Sequence, residues 1–179
     1  MTRDLREFTY PEEKSFLFKL KVGSWFIVAR TLFERSFCPS FFKVVLLRIW
    51  GAQVGRSVLL KRNIRVSFPW QLEIGSNCWI GESVSIINHA KVTIEEHVCV
   101  SQRSIICSSG HNYRSISLEY LHKPIVIKRG AWICLNAIVL AGVTIGECSV
   151  ISAGEIARSS VPDYSMLIYG QVNQIETPK

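Results

Sequence analysis

Several features that would narrow the function at once are missing from this chain of 179 residues. Its six cysteines, at 38, 78, 99, 107, 134 and 148, contain no Cys-x-x-Cys pair, which removes the usual spacing of a zinc site. Several fall where a small apolar side chain suits the surrounding pattern, so reduced thiols are expected. No apolar run is long enough to cross a membrane. The longest uncharged stretch in the apolar N-terminal part, 22–29, falls far short of the ~20 residues a spanning helix needs. No secretory leader is read at the start, because Met1-Thr2-Arg3-Asp4-Leu5-Arg6-Glu7 carries acidic residues and no apolar core. With reduced thiols this predicts a cytoplasmic protein. Acidic residues are scarce, 14 against 21 basic, for a net charge of +7. That excess suggests an anionic partner: nucleic acid, a membrane surface or a phosphorylated cofactor. The basic residues form no long run, which counts against nucleic acid.

What the chain does have is a period. Aliphatic residues recur six apart: Val54, Leu60, Val66; Ile74, Ile80, Ile86; Ile94, Val100, Ile106. After a break the series resumes at Ile127, Ile133, Val139, Ile145, Ile151 and Ala157. A step of six is too short for a helical repeat and matches a short strand plus a tight corner at about 3.3 Å per residue. Three such units make one flat-sided turn of a parallel β-helix. Gly often follows the aliphatic residue, as at Gly55, Gly75, Gly81 and Gly146, where a strained corner is expected. Four residues after the aliphatic one comes a small or β-branched side chain: Val58, Cys78, Val84, Ala137, Val143, Ser149. One large and one small residue per side would fill a narrow coil, and no unit can bury its apolar face alone.

The reading is therefore mainly β, with about five coils over 54–162 and a tail, 163–179, leaving the helix after Val161-Pro162. From Ile94 to Ile127 the chain has more residues than one coil uses, so the excess, about 110–124, must leave as a loop. Such insertions often form the binding face. Residues 1–53 form a separate N-terminal helical segment, with an amphipathic helix around 15–36, a break at Cys38-Pro39-Ser40, and a second helix over 40–50 ending at Gly51. One reading has these helices capping the open edge of the first coil. The other rests their Phe, Trp, Lys and Arg side chains on the inner membrane surface.

His111 sits where the coil gives way to the loop. A histidine there can act as a general base, or can serve only to hydrogen-bond the turn. Asn88 lies one coil below, about 4.8 Å away along the helix, and reads either as a partner in the same pocket or as a corner residue satisfying backbone.

Val92-Thr93-Ile94, Ile106-Cys107-Ser108-Ser109-Gly110-His111, Lys123-Pro124-Ile125-Val126-Ile127, Gly130-Ala131-Trp132-Ile133 and Gly142-Val143-Thr144-Ile145-Gly146 resemble the hexapeptide-repeat O-acetyltransferases of the maltose, galactoside and nodulation branch. The N-terminal part, with Leu47-Arg48-Ile49-Trp50-Gly51-Ala52, Pro69-Trp70 and Trp79-Ile80-Gly81-Glu82, is similar to the colanic-acid-type exopolysaccharide acetyltransferases within that family. The resemblance implies a left-handed coil. It implies a homotrimer that carries acetyl from acetyl-CoA to a sugar hydroxyl of an exopolysaccharide or lipid-linked precursor, with no metal and no covalent intermediate. It makes His111 the base and Asn88 an acceptor contact. The pantetheine arm would lie between two subunits, lined by Trp132, Leu135 and Ala153, with Arg158 and Ser159 at the phosphates. Where the family often has Thr-Lys and then Gly-Asn-Pro-Ala, this chain has Arg158-Ser159 and then Gly170-Gln171-Val172-Asn173. For Trp132, packing on an exposed face is the other reading.

Two rival functions share the fold. A non-catalytic β-helix scaffold that binds partners or a membrane glycolipid is compatible with the altered C-terminal motif. A metal-dependent hydratase of the γ-carbonic-anhydrase type would need three histidines on one metal, and His89, His97 and His122 do not have that spacing.

Overall fold

Short strands that alternate one inward and one outward side chain can bury their apolar half only by stacking. The computed structural model, which describes residues 15–35 and 37–176, shows that stack. Expectations for residues 1–14, 36 and 177–179 lie outside the described residues. The first face of the helix stacks β1 (Gln53–Val54), β4 (Leu72–Ile74), β7 (Val92–Ile94), β10 (Ile125–Ile127) and β13 (Thr144–Ile145). The second stacks β2 (Leu59–Leu60), β5 (Trp79–Ile80), β8 (Cys99–Val100), β11 (Trp132–Ile133), β14 (Val150–Ile151) and β16 (Ser165–Ile168). The third stacks β3 (Arg65–Val66), β6 (Ser85–Ile87), β9 (Ile105–Cys107), β12 (Ile138–Leu140) and β15 (Ile156–Ala157). All these pairings are parallel, and the chain visits the faces in turn, so each circuit is one coil.

The six-residue series forms the inner stacks. Val54 lies opposite Ile74, Ile74 opposite Ile94, Ile94 opposite Ile127 and Ile127 opposite Ile145. Every member from Val54 to Ala157 is at most 8% exposed. The small residues four positions on are buried as well. Corner glycine has a different role from the one expected. A Cβ on Gly75 would stand 2.5 Å from the Glu96 amide nitrogen of the coil above. Glycine is there because the next coil passes directly over it. The left-handed backbone falls two residues later, at Ser57, Asn77, Ser83 and Cys148.

The helix completes five coils and enters a sixth, which corrects the expected departure at 162. The step from Ala157 to the next inward aliphatic is four residues rather than six, to Val161, which bridges Ile145. The six-step then resumes at Leu167, opposite Ile151. A hairpin follows, with β17 (Gln171–Gln174) antiparallel to β16.

At the other end, α1 (Phe16–Val28) runs into a π-helical turn over Ala29–Phe33, and α2 (Ser40–Ile49) ends at Gly51, whose φ of +95° suits a helix stop. The helices serve the backbone of the first coil. Trp25 Nε1 donates to Val66 O at 2.8 Å, Lys43 Nζ to Lys61 O at 2.6 Å and Arg48 Nη2 to Val54 O at 2.6 Å. Ser40 Oγ accepts from Leu60 N at 2.8 Å. These are edge groups that would otherwise face solvent or another chain. One expectation is corrected: α1 is not amphipathic. Trp25 faces the coil, while Phe16, Leu17, Leu20, Phe26 and Ile27 are exposed on the remaining surface.

Candidate active site

The excursion leaves the third face after β9 and returns to the first face at β10. Its two legs pair: Lys123 N donates to Ser108 O at 3.1 Å, Leu121 N to Gly110 O at 2.8 Å and Asn112 N to Glu119 O at 2.8 Å, around an antiparallel bridge between His111 and Tyr120. The tip is drawn together by Glu119, whose carboxylate accepts from Ser115 and Ser117 at 3.2 and 3.3 Å. Leu118 is held at a φ of +49°, a conformation that a leucine rarely adopts. Its carbonyl oxygen lies 2.6 Å from His111 Nδ1. A carbonyl only accepts, so in the neutral ring Nδ1 carries the proton and Nε2 keeps its lone pair. The ring also packs on Tyr120, 4.7 Å between centroids and tilted by 34°. His111 is solvent-exposed at the third-to-first edge of the prism.

Asn88 is placed differently from the expected acceptor contact. It is fully buried. Its Oδ1 accepts from Phe68 N at 3.0 Å and its Nδ2 donates to Phe68 O at 2.6 Å. The amide copies the donor–acceptor pair of a peptide and ties coil two to coil one, as the corner reading expects.

Trp132 lies on the second face, about half-exposed, with Nε1 donating to Ser101 Oγ at 2.8 Å. Leu135 and Ala153, both exposed, follow β11 and β14 at the second-to-third edge. Arg158 and Ser159 follow β15 and are exposed at the third-to-first edge, above the loop. The topology thus brings Trp132, Leu135 and Ala153 together and puts His111 across the third face from them. Between them the outward residues of that face, Ile105, Ile138 and Ile156, are apolar and half-buried. Gly170, at the altered C-terminal motif, donates its N–H to the Glu155 carboxylate at 3.3 Å, and the residues after it form β17.

Among the described residues no three His, Cys, Asp or Glu side chains are gathered for a metal ion. His97 stands at a corner with a φ of +60°, while His89 and His122 pack edge to face 5.0 Å apart. A groove of about 630 Å³ lies on the first face, lined by Glu73, Thr93, Glu95 and Arg129 among others, and contains none of the catalytic, acceptor or cofactor residues expected from the sequence. The sequence reading missed Leu118 and Tyr120. The pairing of the two loop legs brings both to His111, and a non-repeating segment carries no period from which to infer it.

A three-sided parallel β-helix interrupted by one histidine-bearing excursion defines a hexapeptide-repeat protein, and the comparisons agree. No family model matches the chain. It is 30% identical over 161 residues to the "Putative colanic acid biosynthesis acetyltransferase WcaF" of Escherichia coli (strain K12), covering 89% of this chain and 88% of that one. The galactoside O-acetyltransferase of the same organism is 28% identical over 120 residues, covering 65% and 59%. Among solved structures, a hexapeptide-repeat acetyltransferase from Vibrio cholerae complexed with acetyl coenzyme A aligns with a TM-score of 0.82 at 21% identity, over 95% of this chain and 93% of that one. A galactoside acetyltransferase in complex with coenzyme A aligns with a TM-score of 0.80 at 23% identity, over 96% and 88%. The structural likeness shows the fold. The near full-length sequence match shows that the chain belongs to the hexapeptide-repeat acetyltransferases, a family of acyltransferases.

Proposed function

We propose that the protein transfers acetyl from acetyl-CoA to a sugar hydroxyl in the synthesis of an exopolysaccharide or other surface polysaccharide, with His111 as general base. The observation that carries this is the Nδ1–H donated to Leu118 O, which fixes the neutral tautomer whose Nε2 is the proton-accepting nitrogen, at the root of the loop. The acceptor hydroxyl gives its proton to Nε2 as its oxygen attacks the thioester carbonyl. The C–S bond then breaks, and the departing thiolate takes the proton back from the imidazolium. No covalent enzyme intermediate is needed, because the thioester is already activated. Acetyl-CoA is proposed from the ligand named in the Vibrio cholerae structure and the coenzyme A named in the galactoside enzyme. Trp132, Leu135 and Ala153 would line its pantetheine arm, and Arg158 and Ser159 would meet its phosphates.

The separation of His111 from Trp132 across the apolar third face supports a homotrimer in which base and donor wall come from neighbouring copies. The His111→Ala protein is expected to lose at least ~100-fold in turnover with wild-type affinity for acetyl-CoA. Unchanged turnover removes His111 from the mechanism. No calorimetric binding of acetyl-CoA by the parent protein would instead favour the non-catalytic scaffold.

The helical segment supports a peripheral position on the inner membrane surface. Phe16, Leu17, Phe26 and Ile27 are exposed beside Lys19 and Arg30, and no helix among the described residues is long and apolar enough to cross a membrane. The protein should co-sediment with phosphatidylglycerol vesicles and release when Phe16, Leu17 and Phe26 are replaced by Ser. Equal recovery of parent and variant in the supernatant argues against it.

A further inference from the structure

Ring contacts continue from His111 along one edge of the prism. Tyr120 meets His122 at 5.0 Å between centroids, His122 meets His89 at 5.0 Å, His89 meets Phe68 at 4.9 Å and Phe68 meets Trp70 at 5.2 Å. Tyr120 and His122 lie on the returning leg of the loop, His89 between β6 and β7, and Phe68 and Trp70 between β3 and β4. All three segments close the third-to-first edge, on coils three, two and one. The row therefore descends the helix and ends where Phe18 of α1 meets Trp70 at 5.7 Å. His111, Tyr120 and His89 are exposed, and His122, Phe68 and Trp70 are half-buried.

We propose that this row is an acceptor track: it binds a saccharide chain several residues long, with the accepting residue at His111 and the residues behind it laid over the rings toward α1. The inference deepens the acetyltransferase reading and rests on it. A pyranose presents an apolar C–H face and a rim of hydroxyls. The exposed rings of His111, Tyr120 and His89, continued by the half-buried rings of His122, Phe68 and Trp70, offer that face an aromatic surface along the edge. The row runs on from the base without a gap. A monosaccharide would cover only its top, and the lower rings have a role for the acceptor only if the acceptor is long. A nucleotide-linked sugar fits less well, since it needs one stacking site and cations beside it for the diphosphate. Among the described residues the cation over a ring of this row is Lys21, above Trp70 at the far end from His111.

The test is a binding titration of the full chain, followed by indole fluorescence, with galactose and glucose against galactohexaose and maltohexaose, and with UDP-galactose alongside. The hexasaccharides are expected to bind about tenfold or more tightly than the monosaccharides, as stacking on successive rings implies. His89→Ala, at an exposed turn residue, should cut that preference to about threefold or less, and Tyr120→Ala should do the same. Circular dichroism checks that both variants fold. Hexasaccharides binding no more tightly than monosaccharides, a length preference that survives both substitutions, or UDP-galactose binding the most tightly would each overturn the track. Because binding is read without turnover, a missing length preference strikes the track, whereas unchanged turnover of the His111→Ala protein strikes the acetyl-transfer reading.

Discussion

Asn88 and His111 stand on neighbouring coils, and each spends side-chain atoms on backbone. Asn88 gives both ends of its amide to Phe68 and is buried, whereas His111 gives one nitrogen to Leu118 and its ring is exposed. The difference fits Asn88 to a structural role and His111 to the proposed role of base. Asn88→Ala should lower stability by about 1–3 kcal/mol in urea unfolding, the usual effect of stranding buried backbone partners. A variant as stable as the parent would return Asn88 to the ligand reading. Cys78 shows the same preference for backbone. Its thiol donates to Glu95 O, and burial pushes its pKa up, so it stays a neutral thiol in the pH range where an exposed cysteine begins to ionise. His111 was legible from the sequence because it stands at a break in a period. Its carbonyl partner was not, since Leu118 is placed by a tip conformation that no local pattern announces.

At the scale of elements, strands of two or three residues are held by register rather than by length. The last coils add a clasp to the ladder. Asp163 Oδ1 accepts from the Glu147 N–H at 2.8 Å and from Lys128 Nζ at 3.0 Å, so one carboxylate ties three corners together. The Glu147 N–H first, and the Lys128 ammonium second, hold its carboxyl below the usual aspartate range. A depressed carboxylate contributes stability that is present above its ordinary pKa and is lost as pH falls through its folded value. Asp163→Asn should therefore lower the melting temperature slightly near neutral pH, and the gap to the parent should close in acid. Because the group is exposed the effect is small, and added salt should trim the Lys128 share of it. A gap that persists unchanged at low pH would rule out the clasp. The sixth coil escaped the sequence reading for a related reason. Its inward residues Val161 and Leu167 keep a six-residue step, but the four-residue step from Ala157 resets the count just where Pro162 suggests an exit.

Over the whole molecule the three faces divide the labour. The first turns out Gln53, Glu73, Thr93, Val126 and Thr144, while the third turns out Arg65 and Ser85 on its first two coils and Ile105, Ile138 and Ile156 above them. His111 stands at one edge of the third face and Trp132 beyond the other, so the proposed mechanism draws base and donor wall from different copies. Co-expression of His111→Ala with Trp132→Ala tests this directly. If neighbouring copies share each site, random mixing restores about a quarter of the parent activity, because that fraction of interfaces carries both intact residues. Activity no higher than that of the separate variants would place base and donor wall on one chain.

The repeat alone determined the coil, the burial of its aliphatic stacks and the place where a loop interrupts it. A period is a property of order along the chain, and parallel stacking follows directly from it. Only the tertiary structure decided that corner glycines make room for the coil above, that Asn88 is buried in backbone, and that five rings from three separate turns align beneath His111. Those facts depend on which residues meet across coils, and proximity between segments 20 or more residues apart is set by packing, which spacing along the chain does not encode.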